Sequence, residues 1–183
     1  MSEARLVVIS GGPGAGKTAL IEELCRRGYR SSNEVARQLI QEQMSSGGDA
    51  LPWADRERYA RLMLERSLAA WQEHLQTGGT VFFDRGIPDT LCYARLVGLS
   101  RELENDAVAM CQAHRYWRRV FLAPPWREIY ETDGERRQDF DESVKTFELM
   151  GKTYEDCGYE AVIVPRVSVE DRAEFMLAQM EKS

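Results

Sequence analysis

The sequence feature that most constrains this chain is a glycine-rich octapeptide near its N-terminus. Residues 11–18 read GGPGAGKT, between an apolar run at 5–10 and a helix-forming run that begins at 17. Glycines let backbone N–H groups turn inward around an anion without Cβ clashes, and a following helix adds the positive end of its dipole. The pattern G-x-x-x-x-G-K-[ST] in this strand–loop–helix context predicts a phosphate-binding loop. A glycine-rich turn that binds nothing is the alternative, and the context favours the loop.

The side chains of the octapeptide have distinct expected roles. We expect Lys17 to place its charge near the β- and γ-phosphates of a nucleoside triphosphate, and the Thr18 hydroxyl to ligate Mg²⁺. The remaining predicted nucleotide-binding residues are Gly12, Gly14, Ala15, Gly16 and Ala19.

A carboxylate is expected beside this loop. Residues 80–84, TVFFD, are β-branched and aromatic and predict a parallel strand that ends at Asp84, followed at once by Arg85. Ligands of doubly wound sheets bind beyond the carboxyl ends of the strands. Asp84 is therefore the predicted second anchor for Mg²⁺ or the general base for an acceptor hydroxyl, and the sequence does not separate these roles. Asp55 and Asp106 are predicted to lie within helices and are weaker candidates.

Two further segments carry candidate site residues. Residues 125–141 contain Arg136 and Arg137 and predict a lid that neutralises phosphate charge, although a solvated charged loop is the alternative.

Glu34 and Arg37 share one helical turn next to a predicted strand end. They are candidates, with Arg85, for substrate binding, and a surface salt bridge is an equally good interpretation of the Glu34–Arg37 pair.

The alternation of predicted strands and helices indicates an α/β fold. We expect one domain over residues 1–183, with a doubly wound, mainly parallel sheet of about five strands and helices on both faces. The predicted strands are 5–10, 29–33, 80–84, 118–123 and 161–165. The predicted helices are 17–27, 34–46, 53–77, a helix between Pro88 and Gly98, 101–114, 142–157 and a closing helix capped by Ser168.

Composition excludes several classes of protein. The net charge of −6 disfavours general binding to nucleic acid or anionic membranes, and no apolar run approaches the roughly 18 residues of a membrane span. The four cysteines are far apart and without CxxC spacing. We therefore expect reduced thiols in a cytoplasmic protein, and no structural zinc site.

Four segments together resemble a known family. VVISGGPGAGKTALIEEL, NEVARQLI, TVFFDRGIPD and ETDGERRQ follow one another at suitable intervals over nearly the whole chain. The chain resembles the P-loop domain family that groups NadR-type ribosylnicotinamide kinases with small predicted AAA-type ATPases, and the DRGIPD stretch is closer to the ATPase branch.

The resemblance implies a P-loop kinase-like fold that binds ATP or GTP with Mg²⁺ through Gly14, Gly16, Lys17 and Thr18. It also implies that Asp84 is the catalytic or metal-linked carboxylate and Arg136 the lid arginine. Two functions remain open at this stage. The favoured one is a phosphotransferase acting on a small-molecule acceptor, and the alternative is a nucleotide-hydrolysing regulatory switch. The acceptor and the oligomeric state are left open.

Overall fold

The apolar run before the glycine-rich loop forms the central strand of a parallel sheet. The structure, a computed structural model, describes residues 4–127 and 140–182. Its strands lie in the order β2-β3-β1-β4-β5, and every neighbouring pair is parallel. Their bounds are β1 Arg5–Gly11, β2 Arg30–Ser32, β3 Thr80–Asp84, β4 Arg119–Ala123 and β5 Glu160–Ile163. The predicted fold class is confirmed.

Seven helices lie between and after these strands in the described residues. Their bounds are α1 Lys17–Arg26, α2 Val35–Ser46, α3 Arg56–Leu75, α4 Ile87–Val97, α5 Arg101–Ala113, α6 Phe140–Asp156 and α7 Val169–Glu181. The Ser100 side chain caps α5 by accepting from the N–H of Leu103, and Ser168 caps α7 by accepting from the N–H of Asp171. Such caps satisfy backbone donors that have no partner within the helix.

Alternating side chains of the central strand build two separate cores. Leu6 and Val8 of β1 pack into the cluster formed with α3, α4, α5 and α6. Val7 and Ile9 pack into the cluster formed with α1 and α7. Because successive strand residues point to opposite faces, a strand covered on both sides must be apolar at every position. This explains the unbroken LVVI run and places helices on both faces of the sheet.

The structure corrects two details of the long predicted helix. Asp55 is not inside α3 but is its N-cap, accepting from the N–H of Arg58 at 3.0 Å, so the helix begins three residues later than expected. The spacing of Leu64, Leu68, Trp71 and Leu75 predicts one apolar face of this helix, but Leu75 is 38% exposed, whereas Leu64 is 4% exposed. The apolar spacing predicts the helix correctly, but the last turn of α3 is largely exposed. None of the described helices combines the length and apolarity needed to cross a membrane.

Candidate active site

The glycine-rich loop leaves the sheet at a point where only glycine fits. Gly11 ends β1 opposite Ala123 of β4, and a Cβ placed on it would lie 2.5 Å from the Ala123 carbonyl oxygen. Gly16, the N-cap of α1, has a φ of 75°, which L side chains rarely adopt. The loop between them is therefore set by close strand packing on one side and by a left-handed residue on the other.

Lys17 is buried beneath this loop. Its side chain folds back, and Nζ donates to the carbonyl oxygens of Gly11 at 2.9 Å and Gly12 at 3.1 Å. Burial, together with repulsion from Arg85, lowers the pKa of Lys17 from 10.5 to about 8, although the nearby carboxylate of Asp84 opposes the shift. The protein thus buries an amine whose protonated form is less favoured than in water, and a bound anion would favour that form.

The end of β3 brings Asp84 next to the loop. Asp84 pairs with Ile9, two residues before the loop begins, and the N–H of Arg85 extends the ladder by donating to the Ile9 carbonyl oxygen at 2.9 Å. Arg85 has a φ of 72° and is the one non-glycine residue with a positive φ in the described chain. A strained backbone at such a point is typical of functional sites.

Asp84 carries a buried oxygen that has no hydrogen-bond partner in the part of the chain that the structure describes. Oδ1 makes no hydrogen bond within the described residues. Burial raises the pKa of this carboxyl, and the charge of Lys17 counteracts the shift only in part. Buried polar atoms are normally hydrogen-bonded, so an orphaned carboxylate oxygen in a cleft indicates a missing ligand.

The donors present fit Mg²⁺ rather than a cation caged by protein. The Thr18 side chain lines the same cleft as Asp84 and is exposed. Over the described ranges, no group of three or more His, Cys, Asp and Glu residues could hold a metal ion. Mg²⁺ bound with a nucleotide takes one or two protein oxygens and completes its shell with phosphates and water, so this sparse set suits it.

Asp89 anchors the turn that carries Asp84 and Arg85. It lies in the first turn of α4, and its carboxylate accepts from the N–H of Gly86 at 2.7 Å. The same carboxylate also accepts from the hydroxyls of Ser10 and Tyr154. This carboxylate therefore ties the ends of β1, β3 and α6 together beside the site.

Two arginines contact the Glu34 carboxylate, one inside the cleft and one at its surface. Arg85 Nε lies 3.2 Å from Glu34 Oε1, and Arg37 Nη2 lies 3.6 Å from Glu34 Oε2. The Arg37 side chain is 60% exposed, whereas that of Arg85 is 25% exposed. The salt-bridge interpretation of Glu34 and Arg37 therefore describes their contact, and the inward pair with Arg85 was not predicted.

The loop and the Asp84–Arg85 turn open into one cleft of about 1010 Å³. The part of its lining that comes from α3 and α4, called the far wall here, contains aromatic and apolar residues together with the polar Ser67, Asp89 and Thr90. Tyr59 and Tyr93 stand edge to face with ring centroids 5.5 Å apart, and Met63 lies beside them. The lining thus combines the charged residues of the loop and of the end of β3 with an aromatic cluster from the helices.

Most of the predicted site residues meet in this cleft. Those that line it are Gly14, Ala15, Gly16, Lys17, Thr18, Ala19, Glu34, Arg37, Asp84 and Arg85. Gly12 is not among the lining residues and contributes its carbonyl oxygen to Lys17. Arg136, Arg137 and most of the proposed lid fall outside the described residues.

Sequence reasoning missed several lining residues from other elements. These are Tyr59, Met63, Asp89, Tyr93 and Arg172. Asp89 could have been found, because a carboxylate at the third position of a helix can accept from the N–H of the N-cap residue, here Gly86. No local pattern singles out the others, since their role follows from which helices flank the cleft.

Comparison with known families supports this geometry. A family model described as AAA domain matches residues 6–172. The chain belongs to the AAA domain family. No curated protein matches the sequence. The match spans the phosphate loop, Asp84 and Arg172, so the whole cleft of this AAA domain lies within it.

Solved structures share the fold at low sequence identity. A NadR protein in complex with NR has a TM-score of 0.73 and 21% identity over 98% of this chain and 50% of that one. Deoxyadenosine kinase from M. mycoides with dCMP and dCDP has a TM-score of 0.60 and 15% identity, over 97% and 98% of the two chains. Shikimate kinase from Acinetobacter baumannii with shikimate has a TM-score of 0.59 and 13% identity, over 98% and 94%.

The AAA domain spans about half the length of the NadR chain that it matches. At these sequence identities the comparison shows that the chains share a fold. Together with the family match, it confirms the resemblance to P-loop proteins of the NadR and kinase type.

Proposed function

We propose that this AAA domain is a Mg²⁺-dependent phosphotransferase that moves the γ-phosphate of ATP or GTP to a hydroxyl of a small-molecule acceptor. The observation that carries the proposal is the unpartnered, buried Oδ1 of Asp84, in the same cleft as the phosphate loop and the far wall. A nucleotide hydrolase needs room for the nucleotide and one water molecule, whereas this cleft of about 1010 Å³ is also lined by an aromatic cluster from α3 and α4 that could contact an acceptor.

The loop side of the cleft would bind the triphosphate. The backbone of Gly14 to Ala19 would cradle the phosphates, and Lys17 would exchange its two carbonyl partners for phosphate oxygens. Thr18 and Asp84 would hold Mg²⁺, which neutralises phosphate charge when bound.

Asp84 would serve the acceptor. Its Oδ1 would accept the proton of the acceptor hydroxyl as the new O–P bond forms and the bridging O–P bond to the nucleoside diphosphate breaks. The raised pKa of this carboxyl suits it to hold that proton more readily than an exposed aspartate. Arg85 would balance the negative charge near the reacting phosphate. Arg136 and Arg137 stay predicted lid residues that would add to this neutralisation.

The far wall supports an acceptor with a flat apolar part and a hydroxyl-bearing polar part. Tyr59, Met63 and Tyr93 offer ring faces and edges, while Glu34 and Arg85 offer charged hydrogen-bonding groups nearer the loop. A nucleoside has both parts. This supports nucleosides over plain sugars as the first acceptors to test, and the similar NadR and deoxyadenosine kinase folds point the same way.

The test is a phosphate-transfer screen with ATP and GTP against three groups of acceptors. These are nucleosides including ribosylnicotinamide, nucleoside monophosphates, and sugars or shikimate. We expect at least one nucleoside to accelerate nucleoside diphosphate release and to appear as its phosphate ester. Hydrolysis that no acceptor accelerates would instead support the regulatory switch and would overturn the kinase proposal.

Nucleotide binding should take up protons near pH 8. In the free protein the pKa of Lys17 is about 8, so a large share of the protein carries a neutral amine at pH 8.5. A bound polyphosphate favours the ammonium form, so binding should be coupled to proton uptake and should weaken as pH rises from about 7 to 9. Calorimetric titrations in buffers of different ionisation enthalpy measure this uptake directly.

The matched control for proton uptake is Lys17→Arg, which keeps a cation that stays protonated throughout this pH range. Uptake between pH 8 and 9 should disappear in this variant. Equal uptake in both proteins would mean that Lys17 is not the titrating group.

A further inference from the structure

One buried cation beside the phosphate loop has no acidic partner within residues 4–127 and 140–182. Arg172 of α7 is 5% exposed and lines the cleft with residues 13–19. Its Nε is buried without a hydrogen-bond partner among the described residues. Its Nη1 lies 3.5 Å from the Gly16 carbonyl oxygen, and its guanidinium lies 5.7 Å from the centre of the Trp126 ring.

This arrangement differs from that of the other buried charges. Three charged residues are buried in the described chain, namely Lys17, Glu23 and Arg172. Glu23 pairs with Arg26 and Arg27, and Lys17 has two carbonyl partners and nearby carboxylates. Arg172 has no carboxylate within 4.0 Å among the described residues. Burial of a guanidinium without an acidic partner costs desolvation free energy. Either a ligand that binds the guanidinium or the packing around it must offset this cost.

The position of Arg172 within α7 makes a helix-stabilising role unfavourable. It lies in the first turn, after the cap Ser168 and the acidic residues Glu170 and Asp171. The positive end of a helix dipole favours acidic side chains and disfavours a cation. Arg172 therefore does not favour the dipole of its helix and has no ion pair with another described residue, while it lines the cleft with the glycine-rich loop.

We propose that Arg172 is a further phosphate-binding residue of this cleft, which donates from its guanidinium to the polyphosphate of the bound nucleotide. The proposal rests on the proposed function, because it requires that the loop binds a triphosphate. It assigns to α7 a direct contact with the ligand, alongside the loop and the end of β3. The contact would give Nε its missing acceptor and would place a second cation, besides Lys17, on the phosphates.

The test compares nucleotide with bare polyphosphate. We expect Arg172→Gln to raise the Kd of Mg²⁺-ATP and of inorganic tripolyphosphate by the same factor, about 10- to 100-fold, in calorimetric titrations. The thermal unfolding midpoint of the ligand-free protein should not fall, because the variant loses an unpaired buried cation. Arg172→Lys should lose less affinity, since it keeps the charge but not the planar donor group.

The matched control is Arg27→Gln. Arg27 also joins α1 to α7, through its Nε on Glu23 at 2.7 Å and its Nη2 on the Glu170 carbonyl oxygen at 3.2 Å, but it does not line the cleft. The Arg27→Gln variant also removes one positive charge where α1 and α7 meet. We expect it to leave both Kd values unchanged.

The outcomes are separable. An unchanged Kd with a lower unfolding midpoint in Arg172→Gln would make Arg172 a packing residue and overturn this inference alone. A loss for ATP without a loss for tripolyphosphate would place the contact on the nucleoside and would also overturn it. If the wild type and Arg27→Gln bind neither ligand, the proposed function fails together with this inference.

Discussion

Asp84→Asn should lower the kcat of phosphate transfer about 1000-fold, once an acceptor is identified. The amide keeps the size of the side chain but has no carboxylate oxygen to take the acceptor proton or to anchor a cation. The affinity for nucleotide without Mg²⁺ should change little, because the loop and Lys17 carry that binding. Steady-state kinetics and calorimetric titration measure the two effects separately.

The pH profile identifies the role of Asp84. Because burial raises the pKa of Asp84 in the ligand-free protein, the acid limb of kcat/KM should lie above the ordinary range of an aspartate, and kcat/KM should rise with pH through that limb. Asp106→Asn is the matched control, since this aspartate is exposed and pairs with Arg61 at 3.4 Å. If Asp84→Asn keeps wild-type kcat and pH profile, the carboxylate has no role in the chemistry.

Lys17→Met should weaken the binding of Mg²⁺-ATP by about 100-fold or more and should leave the ligand-free protein at least as stable as the wild type. The lowered pKa means that the folded protein disfavours this ammonium by about 3 kcal/mol, at roughly 1.4 kcal/mol per pKa unit. Methionine fills similar space without the charge, although the carbonyls of Gly11 and Gly12 lose a donor. Chemical denaturation and calorimetric titration give both quantities.

The stability difference should depend on pH in a defined direction. Between pH 8 and about 10 the lysine holds its proton in the unfolded chain but not in the folded one. The wild type should therefore gain stability relative to the variant as pH rises through this window. Lys152→Met, at an exposed lysine of α6, is the control for the loss of one positive charge. Unchanged nucleotide affinity in Lys17→Met would contradict the assignment of the loop.

The sequence predicted the elements better than the contacts between them. The glycine spacing around Lys17 and the position of Asp84 at a strand end are local features, because backbone conformation near glycines and strand ends depends on a few adjacent residues. The spacing that includes Leu75 predicts one face of α3 but not the point at which the core ends, so only the structure shows that Leu75 is exposed. The lid arginines, Arg136 and Arg137, stay predictions.

Sequence alone determined the phosphate loop, the parallel α/β architecture and Asp84 as the expected carboxylate. Only the tertiary structure decided that Arg172, 155 residues after Lys17, faces the same cleft, and that Tyr59 and Tyr93 form its far wall. The physical reason is the sheet order. Because β1 lies between β3 and β4, helices from both faces of the sheet flank its carboxyl end, α3 and α4 on one face and α7 on the other. Spacing along a chain encodes local geometry, whereas the pairing of distant strands depends on the packing of the whole core.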